Sequence, residues 1–272
     1  MTSVPWSTHA VDLRSDSVIK RFRPEGSGKC EREWRALTLL AAHAPGLAPV
    51  PQSVDLAATG PVVAMSRLPG EPLRGKSLSN QQLRALAAAV SELYASVPAD
   101  VLAEVPVRPG QQHQLIAQIR SWAPQVRPRV SEAIGESMDH GLEWLARSGM
   151  ERVGGPDIPM VFGPGDGNLA NYLWDGTRVR VVDFEDSGLS DRPFELAEIT
   201  EHAASWVGPP LDSEAFLNLF DLNSAERTRL LECRRLLALV WLFLLSFDDP
   251  QHPRNPPGTA ERQAVRLSRL LA

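Results

Sequence analysis

The chain has 272 residues, of which 43% are hydrophobic and 22% charged, a composition typical of a folded globular protein with a sizeable core. Its net charge of -5 and the absence of any lysine- and arginine-rich block argue against a nucleic-acid partner. The two cysteines, Cys30 and Cys233, lie far apart without nearby histidine or cysteine partners, which argues against a disulfide framework and a zinc site.

The chain shows no sign of a membrane or secretion signal. Residues 1–16 are polar and partly acidic where a signal peptide would have a basic start and an apolar run. The longest apolar run, residues 236–245, is too short to span a bilayer and is expected to form a buried core helix. We therefore expect a cytoplasmic protein with no membrane partner.

The first part of the chain has the pattern of a small sheet. Residues 9–13 and 17–23 alternate between apolar and polar side chains, as strands do, on either side of a short turn. Two further strands are predicted at residues 52–56 and 61–67. Between these pairs, residues 31–42 have the spacing of a helix.

The predicted helix places one acidic side chain on its apolar face. Glu33 is followed by Leu37 and Leu40 at helical spacing, so its carboxylate should point inward. A buried carboxylate needs a basic partner, and Lys20 on the second strand is the natural candidate. Two alternatives remain open, in which Glu31 replaces Glu33 or Glu33 pairs on the surface with Arg35.

Beyond residue 68 the pattern changes from strands to helices. Residues 69–72 form a proline- and glycine-containing break, and residues 79–97 then have helical spacing. Ser79 and Gln82 have the spacing of a capping box at the start of this helix. Most of residues 111–148 and 215–272 are also expected to be helical.

A short hairpin is predicted in the middle of the chain. Residues 171–174 and 178–182 are strand-like, and Asp175-Gly176 between them is a strong turn signal because both residue types tolerate positive φ. Folding of the hairpin makes Asn171 at its entrance and Asp183 at its exit spatial neighbours.

A third oxygen-bearing side chain precedes this hairpin. Asp166 lies in a glycine-rich loop, five residues before Asn171. Together with Asn171 and Asp183 it forms a group of oxygen ligands at one end of a hairpin, as Mg²⁺ requires when water and phosphate fill its remaining positions. The sequence therefore predicts a metal–nucleotide site here.

These residues resemble the aminoglycoside phosphotransferase and choline kinase family of protein-kinase-like small-molecule kinases. The resemblance is carried by Pro164-Gly165-Asp166, Asn171 and Asp183, and by the continuation at residues 191–197. It implies an α+β fold with two lobes, a small N-terminal antiparallel sheet with one helix and a larger, mainly helical C-terminal lobe. The expected boundaries are 1–68, including the hinge, and 69–272.

The resemblance also implies a role for each site residue. Asp166 would be the catalytic base, whereas Asn171 and Asp183 would hold Mg²⁺ against the nucleotide phosphates. Lys20 would contact the α- and β-phosphates and pair with Glu33. The hinge would bind the purine through backbone groups, so the sequence does not distinguish ATP from GTP; its residues are Met65, Ser66, Arg67 and Leu68.

Three features depart from the family pattern. Pro164 stands where a histidine is usual, and proline can supply rigidity there but no hydrogen bond. The segment before Lys20 contains no glycine, although the family normally has a glycine-containing phosphate loop there. Glu185 replaces a glycine after Asp183-Phe184, and with Asp186 it would bind a second cation or a basic acceptor, or face solvent.

The expected activity is transfer of a nucleotide's terminal phosphoryl group to a hydroxyl of a small molecule, such as an aminoglycoside antibiotic or a cationic metabolite. Residues 183–201 contain seven carboxylates against the single Arg192, which favours a cationic acceptor. His202, near Glu198 and Glu201 on a predicted helix, is expected at the surface. The alternatives are a nucleotide-binding pseudokinase that acts as a regulator or scaffold, and a metal-dependent hydrolase.

Overall fold

The computed structural model describes residues 9–57, 60–150, 157–248 and 254–272. Its first sheet is antiparallel, with the strand order β1-β2-β4-β3. The strands are β1 (Ala10–Leu13), β2 (Ser17–Arg21), β3 (Pro51–Asp55) and β4 (Val62–Ser66). The four strands predicted at this end of the chain are therefore present, with boundaries shifted by at most two residues.

The helix α1 (Ser27–His43) packs on β3 and β4 and begins four residues before the predicted start at residue 31. A 3-10 turn at Pro24–Gly26 leads directly into it, and its proline favours this early start because its φ is already close to the helical value. The face of α1 toward the sheet contains apolar side chains and Glu33, as predicted. The buried residues of α1 are Cys30, Glu33, Ala36, Leu37 and Leu40.

The remaining strands form two small antiparallel sheets. One has the order β5-β7-β8 and the other pairs β6 with β9. The strands are β5 (Glu71–Pro72), β6 (Met160–Gly163), β7 (Tyr172–Trp174), β8 (Val179–Val181) and β9 (Gly188–Asp191). The predicted β7–β8 hairpin is present, and its turn is closed by Asp175, whose carboxylate accepts hydrogen bonds from the backbone N–H groups of Thr177 and Arg178.

Helices make up most of the chain after β5. They are α2 (Asn80–Ser96), α3 (Ala99–Ala103), α4 (Gln112–Val126), α5 (Glu132–Ser148), α6 (Arg192–Glu201), α7 (Ser213–Leu217), α8 (Ser224–Ser246) and α9 (Thr259–Leu271). The predicted capping box is present at the start of α2, where Ser79 and Gln82 exchange hydrogen bonds between side chain and backbone.

The centre of the helical part is α8, which packs against α4, α5, α6 and α9. Most of the apolar run at residues 236–245 is buried in α8, as expected of a core helix. Among the described residues, no helix combines the length and apolarity needed to cross a membrane. Helix α6 lies between α8 and the β6–β9 pair, so its acidic side chains reach the loop that follows β6.

Candidate active site

The loop between β6 and the hairpin holds Asp166 in a defined orientation. Its Oδ1 accepts a hydrogen bond of 2.9 Å from the backbone N–H of Asn168, and its Oδ2 accepts one of 3.0 Å from Nδ2 of Asn171. The Asp166 side chain remains 34% exposed. Because Asn171 directs its Nδ2 toward Asp166, its amide oxygen is the atom left to bind a cation.

The hairpin brings Asn171 next to the residues that follow β8. Tyr172 pairs with Val181, and the N–H of Val182 donates a 2.9 Å hydrogen bond to the carbonyl oxygen of Asn171. The next residue, Asp183, has a φ of 70°, in the left-handed region that aspartate tolerates better than most residues. The structure thus brings Asp166, Asn171 and Asp183 together, as the sequence predicted.

Lys20 lies at the centre of a group of three carboxylates. Its Nζ is 3.1 Å from Glu33, 2.5 Å from Asp183 and 2.7 Å from Glu185. Lys20 and Glu33 are buried, whereas the Asp183 side chain is 38% exposed. The predicted contact between Lys20 and Glu33 is therefore present, and Glu33 also accepts a hydrogen bond of 2.9 Å from the N–H of Phe184.

Burial and charge act in opposite directions in this group, which we call the Lys20 cluster: Lys20, Glu33, Asp183 and Glu185. Burial opposes the charge of Lys20, but the three carboxylates outweigh it and raise the pKa of Lys20 above its ordinary value. Burial raises the pKa of Glu33, while Lys20 acts in the opposite direction. Lys20 is thus shared by three acids, of which Glu185 also contacts Lys29 while burial favours the neutral form of Glu33.

The donor set suits a divalent cation in part. Carboxylate oxygens of Glu33, Asp183 and Glu185 lie within 4.8 Å of one another, but the ammonium group of Lys20 lies among them. Asp183 is the most accessible of the three, and the residue before it is hydrogen-bonded to the backbone of Asn171. Asn171 and Asp183 therefore fit Mg²⁺ better than Glu33 does, because Glu33 is enclosed by Lys20 and the Phe184 amide.

Glu185 faces neither solvent nor an open cation site. It is buried, and besides Lys20 it contacts Nζ of Lys29 on α1 at 2.8 Å. Burial opposes its ionisation, but Lys20 and Lys29 outweigh that effect and lower the pKa of Glu185. The backbone oxygen of Glu185 accepts a hydrogen bond of 2.7 Å from Nε of Arg32, and Asp186 lies 3.3 Å from Lys29. Both acids thus attach the segment after Asp183 to α1.

A second group of charged residues is hydrogen-bonded to the Asp166 loop. We call it the Arg108 cluster: Arg108, Glu195 and Glu198. Arg108 Nη1 donates to Glu195 at 2.8 Å, and its Nη2 donates to Glu198 at 3.0 Å and to the Gly165 carbonyl oxygen at 2.8 Å. Glu195 accepts a hydrogen bond of 3.2 Å from the Gly165 N–H. These bonds hold the loop where Pro164 offers no side-chain donor, and sequence reasoning did not identify Arg108 or Glu195.

Close packing also requires glycine at two positions of this loop. Gly165 has a φ of +82°, and a Cβ there would lie 2.0 Å from the backbone oxygen of Asp186. A Cβ on Gly167 would lie 2.1 Å from the backbone oxygen of Glu198 on α6. The two glycines therefore let the loop approach both the segment after Asp183 and α6.

The surface position expected for His202 is wrong. Helix α6 ends at Glu201, and His202 turns inward with its Nε2 3.5 Å from Oδ1 of Asp166. Its side chain is only 14% exposed, and its ring packs edge-on against Trp241. The neighbouring acids that suggested a solvated helix face are paired with arginines: Glu201 is buried against Arg234, and Glu198, which is partly buried, pairs with Arg108.

The acids of residues 183–201 are paired within the protein, which weakens the reason given for a cationic acceptor. Each of its seven carboxylates lies within 4.0 Å of a basic side chain, and many of those bases come from distant helices. The pairs are Asp183–Lys20, Glu185–Lys20, Asp186–Lys29, Asp191–Arg229, Glu195–Arg108, Glu198–Arg108 and Glu201–Arg234.

The predicted hinge begins with the last two residues of β4, next to the strand that carries Lys20. Met65 is buried and pairs with Val18 of β2, two positions from Lys20. The N–H groups of Ser66 and Arg67 donate to carbonyl oxygens within the sheet, those of Val50 and Asp16. The amides of Ser66 and Arg67 are thus engaged, Met65 is a paired residue of the central strand β4, and Leu68 follows them.

Comparisons with known proteins agree with this architecture. Residues 6–233 match the family model described as the phosphotransferase enzyme family. A search of curated protein sequences gave no significant match.

Solved structures cover nearly the whole chain at low sequence identity. A choline/ethanolamine kinase family protein from Mesorhizobium loti has 17% identity and a TM-score of 0.66, over 97% of this chain and 85% of that one. A microcompartment-associated aminopropanol kinase has 20% identity and a TM-score of 0.61, over 99% and 89%. The GDP complex of aminoglycoside 2'-phosphotransferase-IIIa has 16% identity and a TM-score of 0.65, over 99% and 90%. These likenesses confirm the predicted fold class, α+β and protein-kinase-like.

Proposed function

The chain belongs to the phosphotransferase enzyme family, as its motifs suggested, and from this premise we propose that it transfers the terminal phosphoryl group of ATP or GTP to a hydroxyl of a small molecule. The observation that carries the proposal is the convergence of two predicted half-sites. Lys20 from the first sheet contacts Asp183 at 2.5 Å, and the hairpin before Asp183 brings in Asn171 and Asp166.

In this proposal Asp166 is the general base and orients the acceptor hydroxyl. Phosphoryl transfer passes through a loose transition state, so the protein mainly positions the reactants and balances charge. A carboxylate of ordinary basicity is sufficient for that task. Asp166 is partly exposed, and the Asn168 amide and the Asn171 side chain hold its oxygens, as a positioned base requires.

Asn171 and Asp183 would hold Mg²⁺, which would supply positive charge to offset the negative charge of the nucleotide phosphates during transfer. Lys20 would bind the α- and β-phosphates, and Glu33, buried and hydrogen-bonded to the Phe184 amide, would keep the lysine directed into the site. Lys20 also contacts Asp183 and Glu185, so binding of the phosphates would exchange some of its carboxylate partners for phosphate oxygens.

The purine would bind at the hinge, Met65 to Leu68, which joins proposed lobes 1–68 and 69–272. Because the amides of Ser66 and Arg67 are engaged in the sheet, we assign purine recognition to the Leu68 amide and to hinge carbonyl oxygens. This set of backbone groups accommodates both ATP and GTP. A comparison of binding of the two nucleotides would show which one the protein prefers.

We propose that the acceptor is a small molecule with a hydroxyl group. Its binding does not need unpaired acidic side chains from residues 183–201. The acids of residues 183–201 are paired within the protein, which leaves the acceptor's charge open. The similar structures are described as kinases of choline or ethanolamine, aminopropanol and aminoglycosides, all of which carry a hydroxyl group and either an amine or a quaternary ammonium group. Amino alcohols and aminoglycosides are therefore the first compounds to test.

The test is nucleotide binding followed by transfer. Thermal unfolding with ATP or GTP should show stabilisation that requires Mg²⁺, and ADP or GDP release should rise with one member of a panel of amino alcohols, aminoglycosides and nucleosides. Nucleotide binding without transfer to any acceptor or to water would favour the pseudokinase, whereas no Mg²⁺-dependent nucleotide effect would exclude both functions.

The variant Asp166→Asn tests the assigned base. It keeps the size of the side chain and should lower turnover by roughly 10² to 10⁴ fold while the nucleotide still binds, since general-base contributions are of that order. Asp139→Asn is the matched control, because Asp139 lies on α5 and its exposed side chain pairs with the exposed Arg127. Equal turnover of Asp166→Asn and wild type would exclude Asp166 as the base.

A further inference from the structure

His202 occupies a turn that fixes which of its ring nitrogens carries a proton. The chain leaves α6 at His202 with φ -55° and ψ 135°, and Nδ1 accepts a hydrogen bond of 3.0 Å from the N–H of Ala204. A nitrogen that accepts a hydrogen bond holds no proton, so the neutral ring carries its proton on Nε2. The Nε2–H group therefore belongs to the side of the ring that faces Asp166.

The surroundings keep this ring neutral. Burial lowers the pKa of His202, and although Asp166 acts in the opposite direction, Arg74 lowers it further. Edge-on packing against Trp241, with ring centroids 4.6 Å apart, restricts rotation of the imidazole. His202 is thus a rigid, neutral donor.

We propose that His202 is a positioning residue for the catalytic base, an inference that rests on the proposed function of Asp166. Nε2 lies 3.5 Å from Oδ1 of Asp166, slightly beyond ordinary hydrogen-bond length, and catalytic hydrogen bonds are often this long in the absence of substrate. The backbone N–H of Asn168 already bonds Oδ1 and the side chain of Asn171 bonds Oδ2. If His202 closes on Oδ1 in the substrate complex, one lone pair of Oδ2 remains to accept the hydrogen bond of the acceptor hydroxyl.

The same geometry excludes a proton relay. The ring nitrogen without a proton is Nδ1, and its lone pair accepts the hydrogen bond of the Ala204 amide. Nε2, which faces Asp166, already carries a proton. His202 therefore has no site that could take a proton directly from Asp166. Its contribution is orientation, and it should act on turnover more than on nucleotide affinity.

Nuclear magnetic resonance of ¹⁵N-histidine-labelled protein tests the geometry without any activity. The His202 signals, assigned by their loss in His202→Gln, should show the Nε2–H tautomer at neutral pH. Asp166→Ala should shift the Nε2 resonance and leave Nδ1 nearly unchanged. A proton on Nδ1, or an Nε2 chemical shift that is the same in Asp166→Ala and wild type, would overturn the proposal.

Two variants separate the donor from the turn. His202→Asn retains an oxygen that can accept from the Ala204 amide but is too short to reach Asp166, whereas His202→Gln places an amide N–H near the position of Nε2. With Mg²⁺ and ATP, and water as the acceptor, His202→Asn should release ADP about 10 to 100 fold more slowly at an unchanged KM for ATP. His202→Gln should recover most of that loss.

The control is His140→Asn, because His140 is exposed on α5. Asn and Gln variants with equal rates, or an Asn variant as fast as wild type, would contradict the positioning role. If wild-type protein releases no ADP with any acceptor, the proposed function fails, and the resonance experiment alone decides the geometry of His202.

Discussion

Two buried basic residues, Lys20 and Arg108, each bind several carboxylates, and the two clusters differ in what surrounds them. In the Lys20 cluster, three acids share one ammonium group and Asp183 is 38% exposed. In the Arg108 cluster, the guanidinium group is 5% exposed and Glu195 only 1%. One cluster opens to the proposed nucleotide site, and the other is enclosed beneath the Asp166 loop.

The difference separates a binding role from a structural one. A flexible lysine that is shared by several carboxylates can exchange partners when phosphate and a cation bind. An arginine holds its planar fork in one geometry, here against Glu195, Glu198 and the Gly165 carbonyl oxygen. We therefore expect changes at Lys20 to affect mainly catalysis, and changes at Arg108 to affect mainly stability.

The largest effect on stability is expected for Arg108→Met. Glu195 and Glu198 would remain buried without their cation, and loss of one partner from a buried ion pair typically costs about 3 to 5 kcal/mol of unfolding free energy. Urea unfolding followed by circular dichroism measures this loss. The control Arg178→Met removes an exposed pair with Glu92 and should hardly move the urea midpoint. A midpoint for Arg108→Met close to that of the control would contradict the structural role.

The second effect is catalytic. Lys20→Met should lower kcat/KM for the nucleotide by roughly 10² to 10³ fold, the range found when one preorganised donor to a charged transition state is removed. Its loss of stability should be smaller than that of Arg108→Met, because Asp183 reaches solvent and Lys29 still pairs with Glu185. Lys76→Met, at an exposed pair with Glu71, is the control. A variant that unfolds readily yet retains its turnover per folded molecule would reverse the assigned roles.

The contacts predictable from sequence are mostly those with a local signal. The hairpin between Asn171 and Asp183 follows from two short strands and one turn, and the inward direction of Glu33 follows from its helical phase. The capping box of Ser79 and Gln82 is likewise visible in four residues. Each depends on a periodicity or turn rule that acts within a few residues.

The missed contacts lack such a signal. Arg108 lies outside regular secondary structure, and its partners are 57 to 90 residues away in the sequence. The sequence predicts His202 on a helix surface because Glu198 and Glu201 suggest a solvated face. Glu198 is instead paired with Arg108, and Glu201 with Arg234 of α8 and Arg266 of α9. The packing of α6 on α8, which brings Arg234 close, has no local signal in the sequence. Charge alone therefore does not identify a solvent-facing position.

The smallest effect predicted is a pH dependence within the Arg108 cluster. Burial raises the pKa of Glu198 to about 7. Arg108 opposes this shift, but the negative charge of Glu195 beside the same guanidinium group adds to it. With Glu198 protonated, the cluster contains one positive and one negative charge. Above pH 7 a second buried carboxylate must be ionised, which makes the folded state less favourable.

Because the folded pKa of Glu198 is above the unfolded value, the folded state binds more protons between these two values. The stability from this group is complete below the unfolded pKa and is lost as pH rises through about 7. Glu198→Gln removes the titration, so its unfolding free energy relative to wild type should rise from pH 5 to pH 8 by on the order of 2 kcal/mol. The exposed Glu143→Gln should show no such trend. A pH-independent difference between Glu198→Gln and wild type would mean that Glu198 stays ionised throughout, and that Arg108 balances both of its acids.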